Sequence, residues 1–277
     1  MGLGSVKVQG KKFNVKKEFG QIRLEIYNME IKDVSEIKGL DKLKELEALD
    51  LSNNQITEIT GLDILSNLKQ LFLNNNKLTE LKGLDKLAKL DRIFLNGNQI
   101  TELKGLDKLK NLQWIEIQKS KITELKGLDE LTGLIQLDLG ENQITEIKGL
   151  ETLTKLQILR LNRNQIPEIK GLDALTSLHT LRVDHNKIKE IKGLDTLTNL
   201  ETLYLDANQI TDIKGLDALT NLETLYLDTN QITEIKGLSN LGKLKLLFLG
   251  FNPIEGDFEK DMMGEENIKN FLKSYKK

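Results

Sequence analysis

The 277-residue chain contains no cysteine and only two histidines. The lack of cysteine excludes disulfide bonds, thiolate metal sites and thiol catalysis. The two histidines, His179 and His185, give the serines and threonines no recurrent general base, and no glycine-rich segment has the spacing that holds phosphates. We therefore expect a protein that is not an enzyme and that binds neither a cofactor nor a metal ion.

The chain also lacks an excess of either charge and any long apolar run. Its 40 basic and 42 acidic residues give a net charge of −2, which offers no strong electrostatic case for nucleic acid. No apolar stretch is long enough to cross a bilayer, and the start has no signal-peptide pattern. We expect a cytoplasmic monomer that binds neither nucleic acid nor membranes.

Two residue types recur every 22 residues. The asparagine series is interrupted only by Ser120, and it comprises Asn54, Asn76, Asn98, Asn142, Asn164, Asn186, Asn208, Asn230 and Asn252. The glycine series has no gap, and it comprises Gly39, Gly61, Gly83, Gly105, Gly127, Gly149, Gly171, Gly193, Gly215 and Gly237. A fixed period of this length indicates one small unit that is copied and stacked.

Each copy reads as a short strand, a turn and a helical segment. In the copy at 200–219, Leu203 and Leu205 alternate with an outward Tyr204, as in a strand. The amide of Asn208 follows at the inner turn, where it can satisfy unpaired backbone groups. The apolar spacing of three in the last part of the copy predicts short helical turns, and it is carried by Leu216, Leu219 and Leu222.

The repeated segment Asn-Gln-Ile-Thr-Glu/Asp, followed by Ile or Leu, occupies residues 54–59, 98–103, 142–147, 208–213 and 230–235. This segment resembles the 22-residue class of leucine-rich repeats. That class includes the bacterial internalins and the leucine-rich-repeat regulatory subunit of type-1 protein phosphatase. The resemblance covers about residues 24–252 and implies an α/β repeat fold. It implies a curved solenoid with a parallel β-sheet on the concave face and short helical turns on the convex face.

The ends depart from the repeat and predict caps for the open ends of the leucine core. We assign residues 1–38 to an N-terminal cap, 39–252 to the repeats and 253–277 to a C-terminal cap. The N-terminal cap is predicted to contain a β-hairpin at Gln9-Gly10-Lys11 and a degenerate repeat. In that repeat, Leu24, Tyr27 and Met29 are expected to keep the apolar register, Asn28 to take the outward strand position and Lys32 to replace the asparagine. The C-terminal cap is predicted to contain an amphipathic helix at 265–275, with an apolar face made of Ile268, Phe271, Leu272 and Tyr275.

The outward strand positions are free of core duties, so their content is informative. Between residues 40 and 245 the aromatic residues all fall there: Phe72, Phe94, Trp114, Tyr204 and Tyr226. Exposed rings on a rigid sheet are typical anchors of protein interfaces. Our predicted partner-binding residues are Phe72, Phe94, Trp114, Glu116, Asp138, Arg160, Arg182, Asp184, Tyr204, Asp206, Tyr226, Asp228 and Phe248.

Other interpretations of these residues stay open from the sequence. The rings can pack on each other across strands, and neighbouring charges can neutralise one another. Among the charges, Glu116 and Asp138 would select a basic partner group, and Arg160 and Arg182 an acidic one. An aspartate series at 184, 206 and 228 could hold Ca²⁺, but Arg182 beside it argues against a metal ion.

The sequence favours a non-catalytic scaffold that binds a protein or peptide on its concave β-face. The first alternative, implied by the resemblance, is a phosphatase-regulator-like subunit. The second is an engineered or structural repeat scaffold without a natural ligand, which the near-identical copies allow. The chain could also be a module of a larger signalling protein.

Overall fold

The computed structural model describes residues 3–255 and 261–275. The chain divides into two compact units, Met1–Leu139 and Gly140–Lys277, and the boundary falls inside the predicted repeat region 39–252. Within each unit the 22-residue copies stack as turns of a parallel-sheet solenoid, so the predicted fold class is confirmed. No helix in the described part of the chain is long and apolar enough to cross a membrane.

In the first unit, a hairpin precedes a sheet that grows by one strand per repeat. The hairpin strands are β1 (Ser5–Val8) and β2 (Lys11–Asn14). The sheet strands are β3 (Lys16–Glu18), β4 (Gln21–Glu25), β5 (Ala48–Asp50), β6 (Gln70–Phe72), β7 (Arg92–Phe94), β8 (Trp114–Glu116) and β9 (Gln136–Asp138). Strand β3 is antiparallel to β4, and from β4 onward each strand is parallel to the next.

The second unit continues the pattern and ends in a short antiparallel strand and a helix. Its strands are β10 (Ile158–Arg160), β11 (Thr180–Arg182), β12 (Thr202–Tyr204), β13 (Thr224–Tyr226), β14 (Leu246–Phe248) and β15 (Asp261–Met263). Strands β10 to β14 are parallel, and β15 pairs antiparallel to β14. The helix α1 spans Glu265–Tyr275.

The core is a stack of leucines, and the spacing of three decides how the outer segment folds. Leu216, Leu219 and Leu222 are fully buried. The N–H of Leu219 donates to the carbonyl of Leu216, and that of Leu222 to the carbonyl of Leu219, both at 3.0 Å. Each of these bonds from residue i+3 to residue i closes a single turn. The outer segments of the described repeats are therefore runs of turns, apart from the 3₁₀ helices at Val34–Glu36 and Leu40–Lys42.

The glycine series follows from close stacking of the repeats. Gly215 has a φ of +78°, in the left-handed region, and a Cβ on it would overlap the carbonyl oxygen of Ile191 in the preceding repeat. Gly237 meets the carbonyl of Ile213 in the same way. A side chain at either position would push neighbouring repeats apart. At Gly61 an added Cβ would meet no atom within 4 Å, so the feature that the whole series shares is its positive φ, which favours glycine.

The asparagine series forms the predicted ladder of buried amides. Asn208 donates from Nδ2 to the carbonyl oxygens of Leu205 in its own repeat and Val183 in the preceding one, both at 3.0 Å. Its Oδ1 accepts from the N–H of Ile188 at 3.0 Å. Each amide therefore satisfies backbone groups that the turn would otherwise leave unpaired, and it joins two repeats.

Ser120 interrupts the ladder and leaves a defect. Its buried Oγ has no hydrogen-bond partner in the described part of the chain. In the preceding repeat, the Oδ1 of Asn98 accepts from the N–H of Leu78 at 3.0 Å. In the described part of the chain, the equivalent N–H of Ile100 donates to no side-chain oxygen, because the serine side chain is too short to reach it.

We expect Ser120→Asn to raise the free energy of unfolding by about 1–3 kcal/mol, because it would satisfy polar groups that are now buried and unpaired. Urea denaturation of the full chain measures this change. The control Ser120→Ala removes only an unpaired hydroxyl, so it should stay within about 0.5 kcal/mol of the wild type. An asparagine variant that is no more stable than the wild type would show that the defect is already compensated.

The first repeat differs from the prediction in register. Leu24 pairs with Leu49, a step of 25 residues instead of 22. The three additional residues form a 3₁₀ turn at Val34–Glu36, which Asp33 caps by accepting from the N–H of Ser35 at 2.7 Å. Glu25, and not Asn28, consequently lies opposite Asp50 on the outward face.

The shift also changes the roles of three other residues. Tyr27 is half exposed instead of apolar-facing. Met29 takes the place of the ladder asparagine, because the 25-residue step that pairs Leu24 with Leu49 also sets Met29 opposite Asn54. Asn54 Oδ1 accepts from the N–H of Met29 at 2.9 Å. The assignment of Lys32 to that place was therefore wrong, and Lys32 is exposed. A repeat that gains one turn cannot be aligned by a constant period.

The described ends contain more strand than the sequence indicated. The hairpin β1–β2 turns at Gln9 and Gly10, both with positive φ, as a two-residue hairpin requires. A second hairpin, β3–β4, turns at Phe19 and Gly20 in the same way. Neither β3 nor β15 was foreseen, because neither belongs to the repeat. The caps at 1–38 and 253–277 stay predictions.

The helix α1 lies where the sequence predicted a helix. Ile268 is buried, and Phe271 and Leu272 are half-buried. The side chain of Tyr275, the fourth member of the predicted apolar face, lies outside the described residues.

Candidate binding face

The last residue of each repeat strand points away from the leucine core. We call these residues the outward column. In the first unit it comprises Asp50, Phe72, Phe94, Glu116 and Asp138. In the second unit it comprises Arg160, Arg182, Tyr204, Tyr226 and Phe248. Because the strands are parallel and in register, equivalent side chains stand beside each other on neighbouring strands.

The rings of the first unit form one continuous group. Phe72 and Phe94 stack with their centroids 4.6 Å apart, and Trp114 lies 6.4 Å from Phe94 at an angle of 45°. Two arginines that sequence reasoning missed lie over this group. The guanidinium of Arg23 is 5.1 Å from the centre of Phe72, and that of Arg92 is 5.5 Å from Trp114. Arg92 could have been found from its position in the same column as Trp114, but Arg23 was hidden by the altered register.

The two acidic residues that we predicted to bind a partner in the first unit, Glu116 and Asp138, do not offer free carboxylates, contrary to our expectation. Glu116 accepts from Trp114 Nε1 at 2.8 Å and from Asn96 Nδ2 at 3.1 Å, so both its oxygens are engaged within the chain. Asp138 is only 2% exposed and accepts from Gln118 Nε2 at 2.8 Å. Gln118 follows β8 by two residues, and its side chain reaches Asp138 from the preceding repeat. Glu116 holds the indole of Trp114 in one orientation.

The rings of the second unit form a parallel stack. Tyr204 and Tyr226 are 4.5 Å apart with planes within 6°, and Tyr226 and Phe248 are 4.5 Å apart with planes within 1°. Burial raises the pKa of the Tyr226 hydroxyl, and the adjacent Tyr204 raises it further, so the phenol stays protonated and able to donate. We call Tyr204, Tyr226 and Phe248 the ring stack.

An arginine of the chain covers the first ring of the stack. The guanidinium of Arg182 lies 4.6 Å from the centre of Tyr204. The same guanidinium donates from Nε to Asp184 Oδ1 at 3.1 Å and from Nη2 to Asp184 Oδ2 at 3.3 Å. Asp184 is 2% exposed, so it is the buried partner of Arg182. Our prediction that Asp184 contacts a binding partner required a solvent-exposed side chain, which Asp184 does not have. Arg160, beside Arg182 on the next strand, is half-buried and engaged within the chain.

A second column, two residues after the outward column, is acidic in the second unit. Asp184, His185 and Asp206 have ligand atoms within 4.8 Å of one another, which is close enough to hold a metal ion. His185 Nδ1 lies 3.2 Å from Asp184 Oδ2 and 3.8 Å from Asp206 Oδ2. Since both oxygens of Asp184 already accept from Arg182, a cation here would have to displace that guanidinium, and we assign no metal site.

The carboxyl groups further along this column, Asp206 and Asp228, have raised pKa values. Burial raises the pKa of Asp206, and the charge of Asp184 raises it further. Burial likewise raises the pKa of Asp228, with a contribution from Asp261 on the added strand β15. Asp261 was not predicted as a site residue, because β15 lies outside the repeat and no periodic signal marks it.

The raised pKa of Asp206 predicts a pH-dependent effect of Asp206→Asn. The folded state holds the proton of Asp206 more tightly than the unfolded state. Ionisation of Asp206 therefore destabilises the fold as pH rises from the ordinary aspartate pKa of 3.8 through the raised pKa of the folded state. The variant should therefore unfold at a higher temperature than the wild type at pH 7. The gain should vanish as pH falls below the ordinary aspartate value of 3.8.

Thermal unfolding followed by circular dichroism at a series of pH values tests this. The control Asp195→Asn makes the same change at an exposed aspartate outside the sheet and should show no such gain. Lower stability of Asp206→Asn at pH 7 would mean that the attraction of His185 and Arg182 outweighs burial and repulsion.

The model of the family described as leucine-rich repeats (2 copies) matches residues 45–86, 66–108, 132–174, 176–218 and 198–240. These matches cover more than half of the chain. The chain belongs to the leucine-rich-repeat family.

Solved structures of other leucine-rich-repeat proteins are similar to it. An internalin (InlF) of Listeria monocytogenes is 31% identical, with a TM-score of 0.69 over 83% of this chain and 74% of that one. Internalin C2 of the same organism is 34% identical, with a TM-score of 0.62 over 65% and 80%. A leucine-rich-repeat protein of Leptospira interrogans is 25% identical, with a TM-score of 0.68 over 84% and 71%. Comparison with curated protein sequences found no significant match.

Proposed function

We propose that this leucine-rich-repeat protein is a non-catalytic scaffold that binds a protein or peptide partner on the outward face of its sheet. One observation carries the proposal. The rings of the outward column, and Trp114 beside Phe94, have no place in the leucine core, yet they stand in ordered groups on a rigid sheet. Phe72, Trp114, Tyr204 and Tyr226 are half-buried, so each keeps part of its surface for a partner.

The arrangement suits binding because little has to be ordered when a partner arrives. The strands are fixed by the ladder of amides and by the leucine core. The indole of Trp114 is oriented by its bond to Glu116, and the phenol of Tyr204 is covered by Arg182. Side chains that are already held in place lose little conformational freedom on association, which lowers the entropic cost of binding.

The family supports the same class of function. Leucine-rich-repeat proteins typically bind proteins or peptides. The residues that this chain shares with the family face the core and specify the fold. The partner would therefore be selected by the outward residues, which differ from repeat to repeat.

The proposal is tested by affinity capture from host lysate with the wild type and the triple variant Phe72→Ala/Trp114→Ala/Tyr204→Ala. We expect the wild type to retain a protein that the triple variant loses, because interface rings commonly contribute more than about 1 kcal/mol each. Circular dichroism must show that the triple variant is folded.

A matched control is Phe19→Ala, which removes a ring that is 92% exposed at the tip of the β3–β4 hairpin. This control should capture the same protein as the wild type. Capture of the same proteins by the wild type and the triple variant would refute binding through these rings.

A further inference from the structure

The N-terminal hairpins carry a local excess of positive charge that the net charge of the chain conceals. Five lysines and no acidic residue lie among residues 3–17, whereas the whole chain has a net charge of −2. These lysines are Lys7, Lys11, Lys12, Lys16 and Lys17, and all of them are exposed. Such an asymmetry of charge along a chain indicates a negatively charged partner for the basic part.

The fold places some of these lysines directly opposite each other. Lys7 on β1 pairs with Lys12 on β2, and on its other side it exchanges two backbone hydrogen bonds of 2.9 Å with Lys38. Residues that face each other in antiparallel pairing project from the same face, where like charges destabilise the pair. In the part of the chain that the structure describes, neither Lys7 nor Lys12 forms an ion pair. Positive charge is therefore gathered here without being neutralised.

Protection of a strand edge does not account for this row of lysines. Lysines on an edge strand discourage pairing with another chain, and Lys12 on β2 suits that purpose. Lys7 does not, because its backbone is already paired on both sides. A negatively charged surface that contacts the row would account for both residues.

The second hairpin extends the positive charge. Lys12 and Lys16 line one open groove of about 330 Å³, together with the half-exposed ring of Tyr27. Glu25, the acidic residue of this groove, lies 2.8 Å from an arginine of β4. Glu18 lies 3.6 Å from the ammonium of Lys16, and a pair as exposed as this one is weak. We call Lys7, Lys12 and Lys16 the basic surface.

The tip of the second hairpin exposes a ring at a position that favours a small residue. Phe19 is 92% exposed, and its φ of +51° lies in the left-handed region. Asparagine or glycine suits this turn position, whereas a bulky side chain is strained there. The ring directly follows β3 (Lys16–Glu18), so it stands next to the basic surface in the chain. Neither the turn nor the core explains a phenylalanine at this position.

A lipid bilayer fits these observations better than an acidic protein or a nucleic acid. The positive residues among 3–17 are all lysines, whose flexible point charges suit a diffuse negative surface. A fixed carboxylate or phosphate is bound best by the planar fork of arginine. A polyanion in water needs no exposed ring, whereas a bilayer takes up the ring of Phe19 in its interface and offers anionic headgroups to the lysines.

We propose that the N-terminal hairpins dock the protein on a membrane surface that contains anionic lipids, with Phe19 inserted and the basic surface against the headgroups. Docking of this kind requires no membrane-spanning segment. It differs from our expectation that the chain binds no membranes, because apolar runs and net charge do not reveal a local excess of charge. The proposal goes beyond the proposed function and does not depend on it, since the outward column takes no part.

The test is co-sedimentation of the full chain with lipid vesicles at low ionic strength. Vesicles of phosphatidylcholine with about 30% phosphatidylserine should bind the protein at least about tenfold more tightly than phosphatidylcholine alone, because each lysine at an anionic surface contributes about fivefold. Salt at about 0.5 M should release the protein, since it screens these charges. Equal binding to both kinds of vesicle, or binding to neither, would overturn the proposal.

Two variants separate the ring from the charges. Lys7→Gln/Lys12→Gln should weaken binding to the anionic vesicles about tenfold or more. Phe19→Asn should also weaken it about tenfold, because the apolar contact of the ring is lost, while the turn is kept and the unfolding temperature does not fall. The control Lys86→Gln/Lys155→Gln removes the same charge from exposed turns of the repeats and should bind like the wild type. Circular dichroism checks that every variant is folded.

A surface that binds any polyanion is the competing outcome. If Phe19→Asn binds anionic vesicles as tightly as the wild type, the lysines act alone and the membrane proposal is wrong. Phe19→Trp reports insertion directly, because the wild type contains only Trp114. Brominated lipids should quench the fluorescence that Phe19→Trp adds. Quenching no greater than that of the wild type would also overturn the proposal.

Discussion

Replacing Asn208 by alanine is expected to lower the free energy of unfolding by about 3 kcal/mol or more. The amide makes hydrogen bonds to Leu205 and Val183 and accepts one from Ile188, all at 3.0 Å in a buried turn. Alanine would leave these backbone groups buried without partners, and each such group costs about 1–3 kcal/mol. Two of the three bonds cross to the preceding repeat, so the variant weakens the contact between neighbours that stabilises a repeat protein.

Urea denaturation of Asn208→Ala measures the loss. A matched control is Asn199→Ala, which removes an exposed asparagine whose Nδ2 donates to the carbonyl of Thr176 at 2.9 Å. Water can replace that bond, so the control should lose less than about 0.5–1 kcal/mol. Similar losses in both variants would show that the ladder amide is worth no more than a surface hydrogen bond.

The constant period made most of the architecture predictable. Each repeat presents the same apolar positions, so one copy predicts the strand, the inner turn and the buried leucines of the others. The register of Leu71 beside Ile93 follows directly from the 22-residue step. The prediction failed where the step changed. The inserted turn at Val34–Glu36 moved the first strand by three residues, and nothing in the periodic pattern marks an insertion of one turn.

The site was predictable only in part, and for a related reason. Periodicity places residues on a face, so it found the rings of the outward column. It cannot tell which polar side chains bond to each other across strands. Glu116 proved to orient Trp114, and Asp138 proved to be buried. Such pairings depend on side-chain length and on neighbours in other repeats. The Asp261 carboxylate depends on a strand outside the repeat.

Replacing Tyr226 by alanine is expected to weaken binding of the captured partner by about 2 kcal/mol, or roughly 30-fold. Tyr226 is the middle ring of the stack, with Tyr204 on one face and Phe248 on the other, each 4.5 Å away. Its removal opens a gap between the two remaining rings, so the partner loses one anchor and the support of two others. Isothermal titration calorimetry with the purified partner measures the change in affinity.

The stack also stabilises the protein, and the binding effect must be separated from that. Each ring pair contributes about 0.2–1 kcal/mol, so Tyr226→Ala should lower stability only modestly and remain folded. Tyr226→Phe keeps the ring and both stacking contacts and removes only the hydroxyl. If the ring carries the affinity, Tyr226→Phe binds within about threefold of the wild type, whereas Tyr226→Ala does not. Equal losses of affinity in the two variants would show that the hydroxyl, and not the ring, carries the affinity. Unchanged affinity in Tyr226→Ala would show that the ring stack is not part of the interface.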